Sequence, residues 1–162
     1  MKNLKFSKIK SKNLKLINFL RTIKEKNFLI NKSFENTPWI HFKDPRFVFH
    51  TIEISKKIVG LVVIIKFKNH DHLQFLYITK KYRSLGIGYK VIEDLLNKKR
   101  FTTVHVYKNL SNKVIKFYQK NGFKLSNLRE KNLMLKNWIS RCNNYNLETF
   151  KKKKLLYWKK QK

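Results

Sequence analysis

The chain has no alanine, and its 162 residues include only four glycines, two prolines, one cysteine and nine acidic residues. A single cysteine, Cys142, excludes an internal disulfide framework and a cysteine-cluster zinc site. No apolar run approaches the roughly 18 residues of a membrane-spanning helix. The longest, Ile58 to Ile65, has eight residues and includes Gly60, so no membrane span is expected. The N-terminus alternates lysine with apolar residues and lacks an apolar core with a small-residue cleavage site. No signal peptide is expected, and the reducing cytoplasm is the expected location. The five histidines are dispersed without metal-ligand spacing, so no metal is expected.

Apolar residues make up 42% of the chain and include 13 Phe, 7 Tyr and 3 Trp. That excludes a disordered polyelectrolyte and is enough to build a core. The charge has two readings. Thirty-nine Lys and Arg against nine Asp and Glu give +30, which points to a polyanion partner such as RNA. Yet the missing alanine, 33 Lys, 17 Asn and only 6 Arg are also what a bias toward A/T-rich codons produces. Either origin leaves non-specific polyanion binding at low salt as a physical consequence.

Hydrophobic spacing predicts a mixed α/β chain. Leu4 and Phe6 alternate with lysines as a short strand. A helix is predicted from Ser11 to about residue 27, and a second from Ser33 to Phe42, closed by Asp44-Pro45. Strands follow at 46–54 and 58–67, joined by a Ser55-Lys56-Lys57 turn. The second is apolar enough to be buried on both faces. A turn at Asn69-His70-Asp71 precedes a strand at 72–79. Helices are predicted at 87–97 and 112–121, with a strand at 101–107 between them and a last strand at 131–138. A strand–helix–strand unit over 72–107 implies a parallel pair with a right-handed crossover. Residues 1–138 read as one domain and 139–162 as a basic C-terminal extension. Its last 14 residues hold seven lysines and no acid. They read either as a basic-aromatic arm for RNA or another polyanion, or as a helix packing its apolar side.

The most informative segment runs from Leu76 through Lys80-Lys81-Tyr82-Arg83-Ser84-Leu85-Gly86-Ile87-Gly88. A strand passes through a short loop into an amphipathic helix. Free N–H groups at a helix start, the helix dipole and nearby glycines make an anion site. The third glycine of a dinucleotide fingerprint is absent, and no Gly-Lys-Ser/Thr of a P-loop follows.

Arg83-Ser84-Leu85-Gly86-Ile87-Gly88 resembles the Arg/Gln-x-x-Gly-x-Gly/Ala signature of the GNAT superfamily of N-acetyltransferases. A second motif of that family is met by Asn112, then Phe117-Tyr118 on a helix, then Gly122-Phe123. The resemblance covers about residues 46–136. It implies a mixed, mostly antiparallel sheet flanked by helices, with a central pair of parallel strands that splay apart. It also implies acetyl-CoA as co-substrate. Leu76, Tyr77 and Ile78 would offer backbone groups to the pantetheine amides. The main chain of Arg83, Ser84, Leu85, Gly86, Ile87 and Gly88 would cradle the pyrophosphate, and Asn112 would touch the pantetheine arm. Ser84 and Lys80 stand where a glycine and a proline are frequent, and Val114-Ile115 is bulkier than the alanine often found there.

Direct acetyl transfer to an amine needs a base, a donor to the carbonyl oxygen and a proton for the departing thiolate. Tyr118 matches the family's proton donor and is the best general-acid candidate; the competing reading is a core aromatic on the helix. His72 occupies the place where relatives often carry a glutamate base; it reads equally as an exposed turn residue. His105 and Glu53 are weaker candidates. The expected acceptor is a primary amine on a protein N-terminus, a lysine or a small molecule. The competing expectation is a nucleic-acid- or ribosome-binding protein on the same scaffold.

Overall fold

The computed structural model describes residues 3–9, 14–22, 44–68, 70–96, 101–107, 112–125, 127 and 153–158. Ser11, the 33–42 helix, the 131–138 strand and Cys142 lie outside them. The chain divides into two compact units, residues 1–68 with 72–95, and residues 69–71 with 96–162.

In the first unit the strands β1 (Leu4–Ile9), β2 (Phe47–Ile54), β3 (Lys57–Lys66) and, from His72 onward, β4 (His70–Ile78) lie side by side in that order. β1 pairs antiparallel with β2, with Leu4 opposite Ile54 and Ile9 opposite Phe49. β2 pairs antiparallel with β3, and the register slips between Ile52 and Glu53, a β-bulge. The hairpin turns through Ser55 and Lys56, both with positive φ, which matches the right-handed twist of the strands it joins. Asp44 feeds the chain into β2: its carboxylate accepts from the backbone N–H and the guanidinium of Arg46. The expected two-faced burial of β3 holds, since every residue from Val59 to Ile65 is buried.

Helix α1 (Leu14–Arg21) lays Leu16 and Phe19 on one sheet face, against Phe49, Leu61, Val63 and Tyr77. Helix α2 (Ile87–Leu95) buries Ile87, Val91 and Ile92, the stripe that a 3.6-residue period predicts.

The second unit holds β5 (Phe101–Tyr107), α3 (Asn112–Lys120), β6 (Phe123–Leu125) and β7 (Lys153–Trp158). Here β7 lies between β5 and β6 and is antiparallel to both. The helix considered for the lysine-rich tail is therefore a strand over Lys153–Trp158. A second correction concerns the turn expected at 69–71: His70 and Asp71 belong to β4 and are buried. The fold is α/β with a mostly antiparallel sheet, as expected; β4 and β5, the strands of the expected parallel pair, belong to different units. Among the described residues, no helix is long and apolar enough to cross a membrane.

Candidate functional site

The end of β4 carries Leu76, Tyr77 and Ile78 to the loop. β3 holds that end in place, because the Thr79 N–H donates to the Val59 carbonyl at 2.9 Å. A single 3-10 turn, Lys80–Tyr82, follows. In it Tyr82 N–H donates to Thr79 O at 2.8 Å and Arg83 N–H to Lys80 O at 3.2 Å. The lysine at 80 thus supplies only its carbonyl to the turn, a role a proline there would also fill.

Ser84 and Gly86 then both take positive φ, +63° and +73°. For a serine this is uncommon and strained. Ile87, 1% exposed, anchors the far side of the loop in the core. The bond from Lys90 N–H to Gly86 O, 3.1 Å, is the first of helix α2. Gly86 is therefore the N-cap, and the N–H groups of Ile87, Gly88 and Tyr89 precede the helical ladder. A left-handed residue followed by helical ones turns successive N–H groups toward one point, a concavity suited to an anion. The helix dipole adds positive potential there. A Cβ built on Gly86 would meet no atom within 4 Å apart from its chain neighbours, so the space beside the Gly86 Cα is open. Donors, field and open space fit the pyrophosphate of acetyl-CoA.

Arg83 does what the sequence did not foretell. Its Nε donates to the Ile78 carbonyl at 2.9 Å, and its guanidinium carbon lies 5.6 Å from the centroid of the Tyr77 ring. No spacing rule marks such a contact, because it joins a loop side chain to a backbone group five residues back. Two side chains were given no role in the sequence, that of Leu85, expected to act only through its main chain, and that of Tyr89; they are 52% and 55% exposed beside the glycines. Tyr89 lies off the buried 87/91/92 stripe of α2, and that was a readable signal.

His72 is 1% exposed and lies inside β4, so its reading as an exposed turn residue is corrected. At about 3.3 Å per strand residue it stands on the order of 20 Å along the strand from Ile78. Glu53 accepts a 2.6 Å hydrogen bond from the Thr51 hydroxyl. The His105 side chain lies outside the described residues.

In the second unit Asn112 is exposed at the first turn of α3. Tyr118, on the buried side of the same helix, is 8% exposed and packs edge-to-face on Phe123 at 5.4 Å and on Phe117 at 5.0 Å. Burial pushes its phenol above the ordinary tyrosine value. The side chain is at once a core aromatic and a group that keeps its proton at neutral pH. The helix closes where Asn121 Nδ2 donates to Phe117 O at 2.7 Å and Gly122 N–H to Gln119 O at 3.0 Å.

Comparison with known proteins agrees with this geometry. No curated protein matches the chain in sequence. Among solved structures it is similar to a GNAT family acetyltransferase from Elizabethkingia anophelis with acetyl-CoA bound. That pair shares 13% identity, covers 98% of this chain and 99% of the other, and has a TM-score of 0.63. A spermidine N-acetyltransferase chimera from Vibrio cholerae shares 16% identity over 96% and 95% of the two chains, with a TM-score of 0.66. The ribosomal-protein-S18-alanine N-acetyltransferase from Escherichia coli shares 12% over 98% and 95%, with a TM-score of 0.64. At such identities the likeness shows the fold. The acetyltransferase (GNAT) domain profile matches residues 45–125, half of the chain, from the start of β2 through the loop and α3 to the end of β6, and the chain belongs to the GNAT acetyltransferase family.

Proposed function

We propose that the protein is an acetyl-CoA-dependent N-acetyltransferase that moves the acetyl group directly to a primary amine. The acceptor is a protein N-terminus, a lysine or a small molecule. One observation carries this reading: left-handed Gly86 caps α2, ahead of N–H groups that precede the helical ladder, and the space beside its Cα is open. The loop holds the pyrophosphate by main-chain N–H donation over residues Ser84 to Gly88, since the Arg83 N–H is already given to the Lys80 carbonyl. The backbone of Leu76, Tyr77 and Ile78 pairs with the pantetheine amides as an added strand would. Asn112 steadies the arm.

Acetyl-CoA supplies an activated acetyl group, and the chain binds it, orients it and moves protons. His72 is the proposed base that takes the proton from the attacking amine. Tyr118 is the proposed acid that returns a proton to sulfur; burial keeps the phenol protonated at neutral pH. No side chain has to form a covalent bond in a direct transfer. The relatives from Vibrio cholerae and Escherichia coli are named for amine acceptors, spermidine and an alanine of a ribosomal protein, which supports an amine here. The +30 charge adds salt-sensitive affinity for RNA and other polyanions.

The test is release of free CoA thiol from acetyl-CoA in the presence of a panel of amines: spermidine, lysine peptides, peptides with free N-termini and amino sugars. Amine-dependent release with at least one class is expected. Acetyl-CoA binding without release for any class would contradict the transferase reading.

A further inference from the structure

The arginine of the loop sits with its side chain folded back on the strand. Contacts among the described residues hold it. The Arg83 N–H donates to Lys80 O at 3.2 Å, Nε donates to Ile78 O at 2.9 Å, and the guanidinium covers the Tyr77 ring at 5.6 Å. That ring is itself fixed, 7% exposed, with Phe19 and Phe75 at 6.3 and 6.5 Å. A rigid path therefore runs from the core through Tyr77 to Arg83. The next residue, Ser84, holds a strained left-handed φ, and such strain persists only where the surroundings enforce it. Buried Ile87 enforces it from one side. Arg83 enforces it from the other.

We infer that Arg83 is a positioning residue: its Nε–H bond to the Ile78 carbonyl, rather than its positive charge, holds the loop ready for the acetyl-CoA pyrophosphate. This rests on the acetyl-CoA reading above. In a chain of net charge +30, one more cation adds little to the long-range field, whereas the planar Nε–H donor ties the loop directly to the strand's end.

Side-chain topology separates the two roles. In glutamine the amide nitrogen is bonded to Cδ, where arginine carries Nε, so Arg83→Gln removes the charge and keeps a planar N–H at the same place. Arg83→Lys keeps the charge and puts its nitrogen one bond further out on a flexible stem. Arg83→Met keeps the stem and loses both. Acetyl-CoA affinity of the full chain is measured by calorimetry, with KM and kcat where an acceptor is known. Hydrogen exchange at residues 84–88 is measured on the ligand-free variants.

Arg83→Gln is expected to stay within about threefold of wild type in affinity and in loop protection. Arg83→Lys and Arg83→Met are expected to weaken binding at least tenfold, raise KM with kcat little changed, and lose protection at 84–88. Retention by Arg83→Lys with loss by Arg83→Gln would overturn the inference and make Arg83 a direct phosphate ligand. Equal retention, or equal loss, by both would overturn it as well. A wild-type protein that does not bind acetyl-CoA overturns the functional reading instead, and the ligand-free exchange pattern still judges the clamp.

Discussion

The carbonyl oxygen of Tyr77 occupies the place where a side chain on Gly60 would begin. A Cβ at Gly60 would also stand 2.8 Å from Ile52 Cδ1 and 3.3 Å from Ile52 Cβ. A glycine thus persists in the middle of a strand otherwise built from valine, isoleucine and leucine. It lets β4 close on β3 beside the β2 bulge, just before the chain enters the loop.

Gly60→Ala is therefore expected to destabilise the fold by about 1–3 kcal/mol, the range for overpacking a closed core. The urea midpoint should fall, with the slope unchanged. Because the displaced oxygen belongs to Tyr77, acetyl-CoA affinity should fall with it. A midpoint equal to wild type would show that β4 can shift freely.

His50 gives the first unit a dependence on acid. It is half-buried on β2, opposite Lys8 on β1. Burial, then Lys8 and Lys66, hold its imidazole below the ordinary value of 6.5. The unfolded chain takes up this proton more readily than the folded one. The stability His50 contributes is present above about pH 6.5 and is lost as pH falls through the folded value. His50→Gln should narrow the difference between urea midpoints at pH 7 and pH 5. An unchanged difference would assign the acid dependence to other groups.

Much of this was legible in the sequence, for identifiable reasons. With four glycines in the chain, Gly86 and Gly88 stood out, and their position between a strand and an amphipathic stripe gave the loop. The burial of β3 was written in its unbroken apolar run. His70 and Asp71 misled because a polar Asn-His-Asp triplet looks like a turn; only tertiary packing buries such groups. Strands β6 and β7 escaped because β6 is three residues long, and the partners of β7 lie about thirty or more residues away, behind a run of lysines that reads as a solvated tail. Arg83 was read as part of a phosphate loop, and its bond to Ile78 has no local signature.

Deleting residues 149–162 removes β7, and with it the ladders to β5 from Thr102 to Tyr107 and to β6 from Phe123 to Leu125. The deletion should abolish cooperative unfolding of the second unit, followed by the near-ultraviolet circular dichroism of its aromatic residues. A truncated chain that melts like the full one, with only a shallower salt dependence of RNA binding, would make the segment a docking arm.

Tyr118→Phe keeps the ring between Phe117 and Phe123 and removes only the hydroxyl. If Tyr118 protonates the departing sulfur, kcat should fall roughly 10²–10⁴-fold near neutral pH, with acetyl-CoA affinity little changed. Turnover within a factor of two of wild type, with chemistry rate-limiting, would leave Tyr118 a core aromatic only.

The central claim is that the main chain opening α2 binds acetyl-CoA, and calorimetric titration of wild type and Gly86→Ala tests it most directly. The added methyl meets no protein atom within 4 Å. Its left-handed φ should cost about 1–2 kcal/mol of stability, and melting should stay cooperative. Wild type is expected to bind in the micromolar range or tighter, and Gly86→Ala at least tenfold more weakly, because the methyl enters the space the pyrophosphate needs. A folded Gly86→Ala protein that binds acetyl-CoA as wild type does, or a wild type that shows no heat at tens of micromolar, would contradict the account.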